Sequence, residues 1–470
     1  MSRVTVIGAA LAAAVGLAAC DSTSPGERPS LRRPVSSPAG EDTTIVGLVA
    51  TMTGPDAWRG EDAFEGADLA VHELNRGTSG DGAARAYELV TLDDEGDPRR
   101  AAELVMRLAA SDRTVGVVYA GPPEGLPSAE AALEESGIPA LLCYGDLYSA
   151  RLLRPNLFQV SPPYLWQARR IAAYLYRDRR YARAGLIVPK TLGGRTARQS
   201  FAAAATPFRR RATSVQTYAE GAETLRPQLQ ALERARVNAV VVDGGRSAFA
   251  TALRELNAMG ASYETTRAAR RARPWRPQVA GFDLALGPGV PAGYAPPGTI
   301  VSDDYARGAH YLPIPSFEAF RDAFEDWWGE PPLGWERRAY EATQVIGWGV
   351  DRAVAEETSV AQALGDLRRR RFGGLDVVLG PDDHTTVNQP HVGLWVVPRP
   401  GARVRERERL PEVLPWVPLA RGFSIDGETT DVAARDWRYL FRGAPPVRAP
   451  APRNGRWRFG VTTPRSDPVH

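Results

Sequence analysis

From Thr44 the chain alternates short, β-branched apolar runs with longer stretches whose apolar residues recur at helical spacing, and at Ala184 the alternation begins again. The runs at 45–49, 87–92, 115–119 and 139–143 read as strands, and 61–75, 97–110 and 129–136 as helices. Asp97-Pro98 offers an N-cap followed by proline at the first helical position, where its missing N–H is not needed. The second series reads strand 184–188, helix 196–205, helix 222–236, strand 237–242, helix 247–259 and strand 278–281. Strands joined through helices of this length run parallel, so the expected fold is α/β, with two Rossmann-like lobes. At roughly 100–200 residues per domain, 470 residues accommodate both lobes and a little more.

The first twenty residues set the expected address. Met1-Ser2-Arg3 carries one positive charge, 4–15 is apolar and alanine-rich, and the segment ends Leu17-Ala18-Ala19-Cys20. This is the layout of a secretory signal, and its apolar run falls short of the ~20 residues of a spanning helix. The ending resembles the lipobox of bacterial lipoproteins, which implies that Cys20 becomes the lipidated first residue of the mature chain. Residues 21–42 are rich in Ser, Pro, Gly and charge without an apolar period, and read as a flexible tether. The expectation is an extracytoplasmic body anchored by lipid to the outer face of the cell membrane.

Several function classes find no support. A net charge of +3 gives no reason to expect a nucleic-acid partner. The arginine-rich stretch 267–277 reads as a solvated loop. With Cys20 assigned to the lipid, Cys143 follows the apolar run 138–142 and reads as a buried small hydrophobe. The histidines His72, His310, His384, His391 and His470 contain no i, i+4 pair, and Asp382-Asp383-His384 falls in an expected turn, so no metal is expected. There is no Gly-x-Ser-x-Gly elbow, and Gly193-Gly194-Arg195-Thr196 lacks the length and lysine of a phosphate loop. Neither an enzyme nor a cofactor is expected.

Several stretches taken together resemble the type I periplasmic binding proteins, in the branch of the leucine/isoleucine/valine receptors of ABC importers. Thr53-Gly54-Pro55, Gly60, Gly66-Ala67-Asp68-Leu69-Ala70 and Asn75 are similar to that family's opening strand, loop and helix. Asp93-Asp94 with Asp97-Pro98, then Gly121-Pro122 and Glu134 to Pro139, are similar to its next elements. Phe324, Gly329, Pro331 and Ala339-Tyr340-Glu341-Ala342 resemble its long helical pair, and Gly380 to His384 its closing loop. The similarity runs over about 44–400 and implies two discontinuous lobes joined by a hinge of three crossovers, with a ligand cleft between them. Lobe one is expected at 43–158 plus 282–385, and lobe two at 159–281 plus 386–400. It also implies an ABC permease as partner and a small-molecule ligand, an amino acid or related compound.

The family holds an amino-acid carboxylate with hydroxyls and backbone N–H groups, and its ammonium with an acidic side chain. Carried over residue by residue, the aromatic after the first strand falls on Trp58. The serine-bearing loop falls on Glu124, Gly125 and Ser128, and the next hydroxyl pair on Tyr144 and Asp146. In lobe two the matching positions are Leu192 in Thr191-Leu192-Gly193-Gly194, Arg246 in Asp243-Gly244-Gly245-Arg246, and Asp283 at the ammonium site. The hydroxyl-rich clamp is largely missing. Asp146 and Asp283 are instead suited to a cationic group, and Arg246 to a carboxylate or phosphate. A surface sensor or interaction lipoprotein on the same fold is the alternative to transport. The extension 401–470 is expected to be partly ordered, at 423–427 and 437–441, and flexible from 445 onward.

Overall fold

The computed structural model describes residues 43–54, 56–77, 86–259, 275–283, 299–303, 315–332, 335–372, 375–380, 383–387 and 392–396, with short segments at 417–418, 431–433 and 456–458. Cys20 and the tether lie outside the described residues, as do the expected ordered stretches 423–427 and 437–441.

The first sheet is built from β1 (Thr44–Ala50), β2 (Tyr87–Asp93), β3 (Thr114–Ala120), β4 (Ala140–Leu142) and β5 (Leu157–Gln159). Its order is β2-β1-β3-β4-β5, and every pair is parallel. The crossovers are α1 (Trp58–Asn75), α2 (Pro98–Ala109), whose N-cap Asp97 accepts from the Arg99 N–H at 2.8 Å, and α3 (Leu126–Ser136). Alternate residues along the strands face opposite layers. Val46, Leu48, Ala50 and Val118 pack with α1, whereas Val49, Val117 and Tyr119 join Leu104, Val105 and Leu133 of α2 and α3. Both faces are therefore covered, as a parallel sheet requires. Cys143 is fully buried beyond β4, and burial pushes its thiol far up, which makes it inert packing.

The second series comprises α4 (Tyr164–Ala172), β6 (Ala184–Pro189), α5 (Leu192–Ala205), β7 (Ser214–Tyr218), α6 (Arg226–Arg234), β8 (Ala239–Val242), α7 (Gly245–Ala258), β9 (Gln278–Gly281) and β10 (Ile300–Asp303). Three helices follow, α8 (Pro315–Trp328), α9 (Glu336–Glu356) and α10 (Val360–Gly365), and then the antiparallel pair β11 (Arg370–Phe372) and β12 (Leu375–Val377). Strands β13 (Gly393–Val396) and β14 (Val417–Pro418) complete a second sheet of order β14-β13-β10-β9-β8-β6-β7. Its first five strands in sequence are parallel, and β13 and β14 are added antiparallel. The faces divide as before: Val240 and Val242 pack with Leu229, Leu232 and Phe249, and Ala239 and Val241 with α4 and α5.

Three local expectations change. The helix expected at 222–236 begins only at Arg226, where Pro227 occupies the first turn, and the half-polar segment before it forms the edge strand β7. The expected first-lobe assignment of 282–385 does not hold at 300–303, because β10 pairs with β9 and β13 in the second sheet. The tail expected to be flexible from 445 includes Arg456–Arg458, β16, paired antiparallel with β15 (Asp431–Ala433).

Among the described residues the chain passes between the sheets three times: from β5 to α4, from β10 to α8, and from Thr385, which bridges to Gln159, to β13. Helices α8 and α9 return to the first sheet, where Gly66 of α1 lies so close to the Glu336 carbonyl of α9 that no side chain fits between. Among the described residues, no helix is long and apolar enough to cross a membrane.

Candidate functional site

In each sheet the strand order reverses beside its first strand, between β1 and β3 and between β6 and β8, and crevices form at the carboxyl ends of such strands. Eight of the nine expected binding residues lie in turns or first helical residues at those ends, Ser128 being one turn further on. The two sets of ends face each other. Glu124, after β3, accepts a hydrogen bond from the Leu192 N–H at the start of α5, 3.1 Å away. Arg246, on α7, sets its guanidinium 5.1 Å from the Trp58 ring at the start of α1.

Trp58 belongs to an aromatic cluster. Its ring meets Trp335 edge-on at 5.4 Å and Tyr144 at 6.1 Å, and Tyr144 and Trp335 are 5.9 Å apart. The Arg59 guanidinium lies 5.6 Å from the Trp58 ring centroid, and that of Arg338 lies 4.6 Å from the Trp335 ring and 5.9 Å from the Tyr144 ring. Guanidinium groups against ring faces are attracted by the ring quadrupole. Tyr144 is 1 % exposed, and its hydroxyl has no hydrogen-bond partner among the described residues.

Arg338 also ties the lobes together, since its guanidinium pairs with the Asp283 carboxylate at 3.1 Å with both side chains buried. The other Asp283 oxygen accepts from the Gln167 side chain at 3.0 Å, and Gln167 in turn accepts from the Asp283 N–H and the Ser302 hydroxyl. Asp283, expected to receive a ligand's cation, thus already holds one from the protein. Asp146 is likewise occupied. One of its oxygens accepts from the Ser149 N–H at 2.8 Å and the Gln159 amide at 3.3 Å, and the other from the Tyr164 N–H. Burial pushes its carboxyl up, and these bonds oppose the shift. Asp146 therefore works as a staple on the first crossover, with Gly145 beside it turning the chain at φ +108°.

Gly125 is a packing position, because a Cβ there would press on the Tyr119 hydroxyl and the Pro98 carbonyl. Ser128 is exposed on α3, outside the aromatic and charged network.

The sequence reading passed over the buried charges of α9. Arg337 and Glu341 form a fully buried ion pair, and Asp62, Glu65 and Glu336 bring three buried carboxylate oxygens within 4.8 Å of one another. A cation fits such a trio in chemical type, and each of the three acids also has a protein partner of its own. An Arg–Glu pair four apart on a helix ordinarily signals a solvated face, whereas here tertiary packing buries both side chains.

Asp243 was also passed over, in the loop from which Arg246 was chosen. It is 3 % exposed, one oxygen accepts from the Tyr164 hydroxyl at 3.1 Å, and the other has no hydrogen-bond partner among the described residues. Burial pushes it up to about 7; Tyr164 and the Gly244 N–H oppose the shift, Asp283 adds to it and Arg59 opposes it. Gly244, at φ +118° and against the Tyr218 hydroxyl, leaves no room for a side chain, and that hydroxyl donates to the Asp243 carbonyl at 2.8 Å.

Solved structures share this architecture. A type 1 periplasmic binding protein from Bordetella pertussis Tohama I aligns with a TM-score of 0.64 at 19% identity, covering 80% of this chain and 100% of its own. A branched-chain amino acid transporter substrate-binding protein from Streptococcus pneumoniae, in complex with isoleucine, aligns at 0.60 and 17% identity, covering 80% and 100%. An ABC transporter solute-binding protein from R. palustris, in complex with benzoate, aligns at 0.62 and 18% identity, covering 82% and 99%. No curated protein gives a significant sequence match. The family model described as periplasmic binding protein matches residues 43–397, from β1 to β13, and the chain belongs to that family.

Proposed function

We propose that this chain is the lipid-anchored, extracytoplasmic solute-binding protein of an ABC importer, trapping an amino-acid-like or other small polar ligand between its lobes by hinge closure. The observation that carries the reading is the meeting of two sets of parallel strand ends across a cleft, through Glu124–Leu192 and Arg246–Trp58. A solute that binds both walls can shift the balance between open and closed forms. Membership of a family of solute-binding proteins, and relatives that hold isoleucine or benzoate, support a small solute over a macromolecule. Cys20 supplies the anchor, and Cys20→Ser should release the protein from the membrane fraction.

Thermal denaturation against a metabolite library tests the reading. A true ligand at one hundred times its Kd should stabilise the protein by about 2.7 kcal/mol. No stabilisation by any solute would contradict it. The Arg338–Asp283 pair, standing where the family's ammonium-binding acid is expected, favours a second reading: a sensor that kept the fold without transport. Stimulation of a permease–ATPase complex by the loaded protein separates the two, since a sensor would give none.

A further inference from the structure

We propose that the pole of the second lobe, at the amino ends of its strands and opposite the cleft, is a docking surface for anionic phospholipid headgroups. The inference rests on the reading above only in placing the chain at a membrane, and adds which face of the molecule lies against it.

The surface is assembled by the fold from separate stretches of sequence. Strands β7, β6 and β8 are parallel neighbours, so the turns that lead into them emerge at one end of the sheet. Hydrogen bonds hold these turns together: the Thr213 N–H donates to the Ala184 carbonyl at 2.7 Å, and the Asn238 N–H to the Arg183 carbonyl at 2.8 Å. Arg180 and Arg183 lead into β6, and Arg209-Arg210-Arg211 into β7. Arg234 and Arg236 lead into β8, and all seven arginines are exposed. The turn before β7 also reaches the one before β6, because the Phe208 ring lies 6.0 Å from that of Tyr176 and Arg210 acts on this tyrosine electrostatically.

Acids do not neutralise the array. Within these turns the described acids are Asp178 and Glu233, and Asp178 is paired with Arg177 at 2.9 Å. None of the seven arginines forms an ion pair among the described residues. The first lobe shows that an arginine-rich composition does not by itself make such a pole. Its corresponding turns mix the signs: Arg113, beside Asp112, pairs with Glu88 at 3.5 Å, Glu134 and Glu135 precede β4, and Arg154 pairs with Glu130 at 3.5 Å. Cations at helix C-termini are favourable in their own right, which accounts for Arg234 and Arg209. It does not account for Arg183, Arg210 and Arg211, which lie beyond the helices at the mouths of the strands.

A dense group of like charges without acids sets up a positive potential that an anionic partner relieves. Guanidinium groups fork onto phosphate oxygens through paired hydrogen bonds. The helices that deliver the arginines lie on both faces of the sheet, α5 on one and α6 on the other, so the array spans the thickness of the lobe. Charges spread in this way match a plane of headgroups better than a single small anion.

The test is co-sedimentation of the full chain carrying Cys20→Ser, so that no acyl chain contributes, with vesicles of phosphatidylcholine alone and of phosphatidylcholine with about one-third phosphatidylglycerol. Binding to the anionic vesicles should be tighter by more than about tenfold, and should fall steeply as salt is raised, because exposed charges are screened. Arg209→Glu/Arg210→Glu/Arg211→Glu should weaken that binding by more than about tenfold with an unchanged Tm. The matching change Arg369→Glu/Arg370→Glu/Arg371→Glu at β11, where the arginines are engaged within the protein, should leave it within about threefold. Equal affinity for the two kinds of vesicle, equal losses in the two triple variants, or tighter binding of a DNA duplex than of the anionic vesicles would overturn the proposal. The vesicle comparison needs no variant at the pole, so it decides the matter even if the first triple variant does not fold. Failure on vesicles leaves the solute-binding reading standing, and failure to bind any solute leaves this surface untouched.

Discussion

Two buried amides at the first crossover and two buried oxygens at the strand ends finish in opposite states. At the first crossover the Gln159 side chain donates to Asp146 and to the Ser161 carbonyl, and accepts from the Leu147 and Tyr148 N–H groups. Gln167 does the same between Pro162, Asp283 and Ser302. Every polar atom of those two amides has a partner, which is the condition for a buried polar network to specify one geometry. A few residues away, at the strand ends facing the cleft, Asp243 and Tyr144 are as deeply buried and keep an open oxygen each. The difference teaches where the molecule keeps its shape and where it keeps capacity for something else. Buried polar groups that lack partners are rare in folded proteins, and they collect at functional sites.

Four substitutions would break or sharpen this contrast. The largest effect belongs to Arg338→Ala, which strands a buried Asp283 and should destabilise the protein by about 3–5 kcal/mol in a denaturant titration. A loss below about 1 kcal/mol would mean that the pair is solvated in solution. Next is Asp146→Ala, which leaves three donors of the first crossover unmatched and should cost roughly 2–3 kcal/mol. Third is Asp243→Asn, with a pH signature of its own. A carboxyl raised to about 7 in the folded state keeps its proton between pH 4 and 7, where the unfolded chain has lost it. Its contribution to stability is therefore full at pH 4 and falls as pH rises to 7. The Asn variant should abolish that slope, recovering at least about 1.4 kcal/mol at pH 8 relative to wild type. The groups acting on Asp243 are Tyr164, the Gly244 N–H, Asp283 and Arg59. An unchanged slope in Asp243→Asn would assign it to other carboxyls that burial pushes up, such as Asp146, Asp94 and Glu73. The smallest effect is that of Glu124→Ala, which removes one cross-lobe bond: ligand affinity should fall by less than about tenfold, with overall stability within about 1 kcal/mol of wild type.

Much of the fold could be read from the sequence because its signals are local. Alternation of strand and helix, the Asp97-Pro98 cap and the apolar run before Cys143 each need only a few neighbouring residues. Strands β5, β7 and β10 escaped notice because they are short, or half-polar at an edge, and draw their stability from neighbours in the sheet. The site was legible in position more than in role. Trp58, Tyr144 and Arg246 do share one shell. What occupies Asp146 and Asp283 was hidden, because Gln159 lies 13 positions from the first and Gln167 116 from the second. Asp243 was hidden for the converse reason: its significance is an unfilled bond, and sequence spacing carries no trace of that.

The account turns on two lobes closing over a solute, and small-angle scattering addresses that motion directly. On adding a saturating amount of any solute that raises the Tm, the radius of gyration should fall as the strand ends are drawn together. A solute that binds tightly while the radius of gyration stays unchanged would contradict closure as the way this protein holds its ligand.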